Sequence, residues 1–305
     1  MIALILQGRI GNQLFMYAYA RALQLERGEQ EELIIYDADV LTVGWINSLK
    51  AYKLPNVRYI SDWKQFKREL DISNRIGLFL YQRLIKKKRN YLEKYKYEQR
   101  YKRVLNWLGV AACENGYLDL KPVGKNILLF GYFQSEKYFE KYKDKIKKEL
   151  DLTDCAFQVN PDMANFITSN NTVCISIKVE FKVGNKLYGV CTKKYWQDAI
   201  AYIIKHVENP AFLICSDDVD YVCKNLIDTE KYPTMVQDKN MPVEISLAMM
   251  SLCRHFIIAN TTYGWWAQYL CSNKDKTVIA PSQWMLVDMP IDIYQSEWTL
   301  LDTGL

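Results

Sequence analysis

The chain has 305 residues, 40 Lys+Arg against 35 Asp+Glu and a formal net charge of +5, with 50% hydrophobic and 25% charged residues. That is ordinary globular composition, which excludes a disordered chain, and the length predicts two domains of about 150 residues with real cores. No stretch approaches the length of a membrane-spanning helix.

The first apolar run, residues 2–6, is too short and lacks the basic flank of a signal peptide, so none is expected. The eight cysteines are scattered without a C-x-x-C pair, and several, such as Cys174 and Cys215, sit in apolar runs where a thiol packs as a small hydrophobe. A reducing cytoplasm and no disulfide framework follow as expectations. Only His206 and His255 are present, neither with a partner at ligand spacing, so no metal site is expected.

Taken in order, the run 2–6 leads into Gly8-Arg9-Ile10-Gly11-Asn12-Gln13-Leu14-Phe15, then a helical pattern of Leu14, Phe15, Ala18, Ala22 and Leu25. This reads as strand, tight turn and helix, the first βα unit of an open sheet whose ligands sit beyond the carboxyl ends of its strands. Gly8 and Gly11 permit a sharp turn and close approach of a ligand. Asn12 and Gln13 place uncharged amides there, which suit a hydroxyl-rich ligand better than a bare phosphate. The plainer reading is a well-formed turn and no more. It is not the dinucleotide fingerprint, because its second and third glycine positions, counted from Gly8, hold Ile10 and Gln13.

Residues 33–36 predict a second strand, and 78–84 the start of a helix carrying a basic cluster. Between Arg83 and Arg103 lie Arg83, Lys86, Lys87, Lys88, Arg89, Lys94, Lys96, Arg100, Lys102 and Arg103 against only Glu93 and Glu98. Tyr81, Tyr91, Tyr95, Tyr97 and Tyr101 are interleaved. A solvated face is the plain reading. The sharper one is a peripheral contact of 83–103 with anionic lipid, where each basic residue adds about 1 kcal/mol. Nucleic acid is not expected, since no recognised module accompanies the cluster.

Residues 127–132 read as a buried strand. After it, Ser135 opens a helix with Tyr138, Phe139, Tyr142, Ile146 and Leu150 on one face. The second half alternates more cleanly: strands at 172–179, 211–215, 255–259 and 277–280, helices at 195–207, 219–226, 242–251 and 263–271. Such alternation predicts a parallel sheet with helices on both faces. Two Rossmann-like α/β domains facing across a cleft are therefore expected, divided as 1–152 and 153–305.

Two strand ends in the second half carry polar groups: Ser216-Asp217-Asp218 and Asn260-Thr261-Thr262. Each alone fits simple helix capping. Together at one sheet edge they also fit a nucleotide pocket, with an Asp accepting from a guanine edge and a helix start meeting phosphate.

The stretches 8–15, Gly131-Tyr132-Phe133-Gln134-Ser135-Glu136-Lys137-Tyr138-Phe139, Ser216-Asp217-Asp218 and Asn260-Thr261-Thr262-Tyr263-Gly264-Trp265-Trp266 occur in that order over nearly the whole chain. In this the chain resembles the α-1,2-fucosyltransferases. The resemblance implies a GT-B type glycosyltransferase with its nucleotide-sugar site in the C-terminal domain and its acceptor side in the N-terminal one. It implies a GDP-β-L-fucose donor, no metal or other cofactor, and transfer to a galactoside hydroxyl with inversion. The acceptor, an oligosaccharide or lipid-linked glycan, would lie near Asn12 and Gln13. Gly11, Ser216, Asp217, Asn260, Thr261 and Thr262 match the family's stretches and are carried over as donor-side residues. Surface-polysaccharide synthesis in the cytoplasm, at the inner face of the membrane, is the implied setting.

One departure stands out. Where the family carries His-x-Arg-Arg-Gly-Asp, this chain has Lys178-Val179-Glu180-Phe181-Lys182-Val183. The family's first Arg grips the diphosphate with a fork of donors that neither Glu nor Phe supplies. Glu180 would repel the diphosphate, like charges about 4 Å apart costing about 4 kcal/mol at an effective dielectric near 20. Lys178 and Lys182 offer point charges instead. Three readings stay open: an active transferase with Glu180 or Asp217 as base and Asn12 at the acceptor, a non-catalytic homologue, and a transferase for a different nucleotide sugar.

Overall fold

Short runs of aliphatic residues, buried on every side, set the architecture. In the computed structural model, which describes residues 1–178 and 185–305, β1 (Ile2–Ile5), β2 (Leu33–Tyr36), β3 (Val57–Ile60), β4 (Val110–Cys113) and β5 (Ile127–Gly131) form one sheet in the order β3-β2-β1-β5-β4. A second sheet takes β6 (Asn171–Ile177), β7 (Pro210–Ser216), β8 (Thr234–Val236), β9 (His255–Ile258), β10 (Val278–Pro281) and β11 (Thr299–Leu301) in the order β11-β10-β9-β6-β7-β8. All described pairings are parallel. The central strands are buried at every residue, without the alternation of a half-exposed sheet, because helices cover both faces.

The chain divides into two compact units, Met1–Glu149 with Asp288–Ile293, and Leu150–Val287 with Tyr294–Leu305. In the second, the strand order reverses once, between β6 and β9; in the first, the chain crosses from β3 to β4 at the far edge and then steps inward to β5, which lies beside β1. The β6/β9 reversal is where an open α/β sheet leaves a crevice at its carboxyl edge.

Several elements differ from the sequence expectation. The helix expected from residue 78 begins earlier and is two helices, Ile72–Leu84 and Tyr91–Trp107, the second capped by Asn90, whose side chain accepts from the Glu93 amide. The helix expected from Ser135 starts as two 3-10 turns, Glu136–Tyr138 and Glu140–Tyr142, and becomes α-helical only over Lys143–Glu149. Tertiary packing overrides the periodicity there: the Tyr138 ring is held 4.6 Å from Tyr19 and 5.5 Å from Phe133. Strands β3, β4, β8 and β11 had no expectation, and β3, β8 and β11 lie at or beside sheet edges where their short sequences are only partly buried.

Two carboxylates, the partly buried Glu149 and the buried Glu98, tie helices of the first unit. Arg21, 2% exposed on the helix Ile10–Arg27, makes a forked pair with Glu149, Nε to Oε2 at 2.9 Å and Nη2 to Oε1 at 2.7 Å, while Tyr17 donates to Oε2 at 3.0 Å. Removing one partner of such a pair strands the other charge. Glu149→Ala is expected to lower unfolding free energy by about 3–5 kcal/mol in urea titration. Glu98 joins the two outer helices, accepting from Tyr81 Oη at 2.7 Å and from the Glu114 amide at 3.1 Å. Burial, reinforced by the Glu114 carboxylate, pushes its carboxyl up to about 7. A raised acid pKa gives stability that is complete below the unfolded carboxyl value and is lost as pH rises through about 7. Glu98→Gln should therefore flatten the loss of stability between pH 5 and pH 8, on the order of 3 kcal/mol, measured by denaturation across that range.

Candidate functional site

The turns after β1 and β5 lie side by side at the carboxyl edge of the first sheet, since those two strands pair in parallel. Gly8 sits at φ +72, and a Cβ there would fall 2.5 Å from Asn12 Nδ2, so glycine is what lets the Asn12 side chain fold over the turn. Across the gap, Gln134 Nε2 donates to Asn12 Oδ1 at 2.9 Å, joining two of the stretches singled out in the sequence. Gly131, at φ +138, would drive a Cβ to 2.0 Å from the Cys113 carbonyl oxygen, so no other residue fits. Gly11 is buried in the first turn of the helix Ile10–Arg27.

Gln13 does something other than expected. It is fully buried and its amide is occupied by the chain: Nε2 donates to the Gly8 and Ile46 carbonyls, both at 2.9 Å, and Oε1 accepts from the Ser48 amide at 2.9 Å. It fastens the loop 44–48 beside the turn rather than presenting itself to an acceptor. That loop brings Trp45 and Ile46, both exposed, to the sheet's carboxyl edge, with the Arg9 guanidinium 5.6 Å from the Trp45 ring centre. Sequence reasoning missed Trp45, which carries no periodic signal. An amide pair beside an aromatic face is the donor–acceptor and stacking set that sugars use.

Asp37, after β2, was also missed. Burial alone would raise its pKa, but Lys50, Ser61 and Asn47 hydrogen-bond its oxygens and hold the carboxyl below the usual range. Asn47 donates at 2.9 Å, Ser61 at 2.5 Å and Lys50 at 2.8 Å. It anchors the same loop. Ser135 and Lys137 likewise hold Asp292, at 2.7 and 2.8 Å.

In the second unit, three neighbouring strands, β9, β6 and β7, deliver the predicted residues to one edge. Lys178 follows β6 and is half-buried, while Glu180 and Lys182 lie outside the described residues. After β7, Ser216 Oγ accepts from the Asp218 amide at 3.0 Å, and Asp218 caps the helix Val219–Asn225 by accepting from the Tyr221 amide at 3.0 Å. Asp217, between them, is exposed. After β9, Asn260 is 5% exposed, and its Nδ2 donates to the Trp284 carbonyl at 2.8 Å and the Tyr188 carbonyl at 3.2 Å. Its amide braces two flanking segments and is not turned over to a ligand. Thr261 caps the helix Thr262–Leu270, its Oγ1 accepting from the Gly264 amide at 3.1 Å. A Cβ on Gly264 would lie 3.2 Å from Ile258 and from Ser176 Oγ, so glycine seats this helix start directly on β9 and β6. Among the described residues no grouping of three or more His, Cys, Asp or Glu is placed to hold a metal ion. All eight cysteines are free thiols.

Residues 1–302 match the profile of glycosyl transferase family 11, and the chain belongs to that family. It is a glycosyltransferase, of the fucosyltransferase-like kind. It is similar to the O-antigen biosynthesis glycosyltransferase WbnK of Escherichia coli, 27% identical over 318 residues that span 96% of this chain and 98% of that protein. An alpha-1,2-colitosyltransferase of Escherichia coli is 27% identical over 174 residues, 52% of this chain and 56% of that one. Among solved structures, the NodZ alpha-1,6-fucosyltransferase soaked with GDP-fucose aligns at a TM-score of 0.51 and 12% identity, covering 88% of this chain and 92% of that one. At that identity the likeness speaks to fold, two Rossmann-like units of GT-B type.

Replacing either bracing amide by Leu strands buried backbone partners, each worth about 1–3 kcal/mol. Gln13→Leu and Asn260→Leu are each expected to cost at least about 3 kcal/mol in chemical denaturation, the mark of a brace rather than of a ligand contact.

Proposed function

We propose that this protein transfers L-fucose from GDP-fucose to a galactoside hydroxyl in an α-1,2 linkage, with inversion and without a metal. The observation that carries the reading is the gathering of Lys178, Asp217 and the Thr261–Thr262 helix start on three adjacent strand ends of the second sheet, two of them flanking its switch point. In this reading the exposed Asp217 accepts hydrogen bonds from the guanine edge. Lys178, with Lys182, and the start of the helix Thr262–Leu270 meet the diphosphate. The acceptor lies on the first unit, against Asn12, Gln134 and the Trp45 ring.

With Asp217 engaged by guanine, the Glu180 carboxylate takes the proton of the acceptor hydroxyl as its oxygen attacks the anomeric carbon. The bond to the donor's diphosphate oxygen breaks on the opposite face, its electron pair leaving with GDP. The departing diphosphate gains charge as it leaves, so cations at that edge act on the transition state more than on the bound donor. The name of WbnK supports a lipid-linked or oligosaccharide glycan of the O-antigen kind as acceptor. That setting is cytoplasmic, with 83–103 as a peripheral membrane contact; among the described residues no helix is long and apolar enough to cross a membrane. A different donor is the second reading, favoured by the replaced Arg motif and by a relative named for colitose transfer.

Calorimetric titration with GDP, GDP-fucose and a UDP-sugar tests the donor. The expected order is GDP-fucose and GDP well above UDP-sugar, with Asp217→Ala weakening GDP by about 10–100-fold through two lost hydrogen bonds. Unchanged GDP affinity in that variant, or a preference for UDP, would overturn the assignment. Lys178→Ala is expected to lower kcat/KM for GDP-fucose by at least about tenfold in a transfer assay, as one charge-assisted contact would.

A further inference from the structure

We infer that the outer face of the helices Ile72–Leu84 and Tyr91–Trp107 is a docking surface for an anionic phospholipid bilayer, with apolar side chains inserting and the basic cluster holding lipid phosphates. This deepens the peripheral contact proposed above and is independent of which donor the protein uses.

The helix Ile72–Leu84 has two apolar faces. One, through Leu78 and Tyr81, packs into the core of the first unit, with the Tyr81 ring 4.9 Å from Phe130. Gly77 brings the helix close, since a Cβ there would meet Val110 Cγ2 at 2.6 Å. The other face carries Ile72, Ile76 and Phe79 at the i, i+4, i+7 spacing of one stripe, 74, 46 and 63% exposed. Among the described residues nothing covers that stripe. On the second helix Val104 and Trp107 are 48 and 74% exposed, while Leu105 points into the same core cluster. The two helices share one layer: Tyr81 reaches Glu98 at 2.7 Å near one end, and Asn74 Nδ2 reaches the Leu108 carbonyl at 3.1 Å at the other. Their outward faces therefore form one surface, with Ile72 and Trp107 at the same end. Exposed apolar area on this scale marks an interaction site.

Charge selects the partner. Of the ten cations between Arg83 and Arg103, Lys88 pairs with Glu93 and Lys94 with Glu114. The other eight, seven of them exposed, line the same two helices and the turn between them. Beside Trp107 a hollow of about 460 Å³ is lined by Lys102, Arg103 and Lys121 against Asp119, with Val123 and Trp107 as its apolar part. Lys121 pairs with Asp119 at 3.1 Å, leaving Lys102 and Arg103 over an apolar wall to meet a lipid phosphate whose stem lies in hydrocarbon. A two-fold dimer through this face would set eight cations against the same eight, whereas an anionic bilayer answers both the charge and the apolar stripe.

The test is co-sedimentation of the full chain with vesicles of phosphatidylcholine alone and of phosphatidylcholine with phosphatidylglycerol. The wild type is expected to partition onto the phosphatidylglycerol vesicles, and less so as salt is raised. A Phe79→Ser/Trp107→Ser variant should lose at least about tenfold in partition with an unchanged circular-dichroism melt, since both side chains are exposed. A Lys86→Gln/Lys87→Gln/Arg100→Gln/Arg103→Gln variant should lose the preference for anionic vesicles. Absence of wild-type binding, wild-type binding by both variants, or a dimer in sedimentation velocity that Phe79→Ser/Trp107→Ser abolishes would each overturn the inference. GDP titration on the same samples separates the two proposals: its failure beside intact vesicle binding counts against the donor alone.

Discussion

A parallel sheet whose strand order reverses must leave a gap at its carboxyl edge, because the crossover connections on either side depart in opposite directions. The second sheet has one such gap, between β6 and β9, and the donor residues of the proposed mechanism stand around it, while the proposed acceptor side follows the adjacent strands β1 and β5 of the first sheet. Strands β1 and β5 are short and apolar, so they contribute position and no chemistry. In the proposed mechanism the chemistry sits in the turns and loops that follow the strands, where backbone groups leave the ladder and side chains no longer point into a core. That division explains why the polar stretches are short and separated widely along the chain.

The two edges are built by a similar device. In each, a buried, uncharged amide holds neighbouring segments by hydrogen bonds to backbone: Gln13 to Gly8, Ile46 and Ser48, and Asn260 to Tyr188 and Trp284. A neutral amide suits this task because it can donate twice and accept without bringing a charge out of water. The segments so fixed carry the exposed Trp45 on one edge and the partly buried Thr261–Thr262 helix start on the other. An amide that anchors the loop cannot also be the group the loop presents, which is why the residues next to Gln13 and Asn260 take the ligand-facing roles in the proposed mechanism.

Much of this was legible in the sequence. Gly8 and Gly11 before an amphipathic run marked the first turn, and the strand–helix alternation of the second half gave the parallel sheet with most of its elements. What escaped was of two kinds. The short edge strands β8 and β11 have too few residues to show a period, and the helix Ile72–Leu84 hid its start because apolar residues occur on both of its faces. Side-chain direction was the other: sequence placed Gln13 and Asn260 at the right edges but not which way their amides turn, since that depends on loops 33 and 24 residues away. Asp37 was invisible for the same reason, its partners Asn47, Lys50 and Ser61 being supplied only by the folded loop.

The replacement of the expected arginines bears on the kind of catalyst this edge supports. A guanidinium fork fixes a diphosphate in orientation as well as charge, and lysine supplies charge alone. Orientation must then come from elsewhere, and the helix Thr262–Leu270 is the rigid element available, seated on β9 and β6 through Gly264 and capped by Thr261. Its amides are fixed by the fold, so they cost no rearrangement when the leaving group takes on charge, whereas a lysine on a flexible stem follows the charge as it grows. In the proposed mechanism the helix gives direction, and Lys178 and Lys182 give strength. The two functions that one arginine would combine are there divided between the helix start and the lysines.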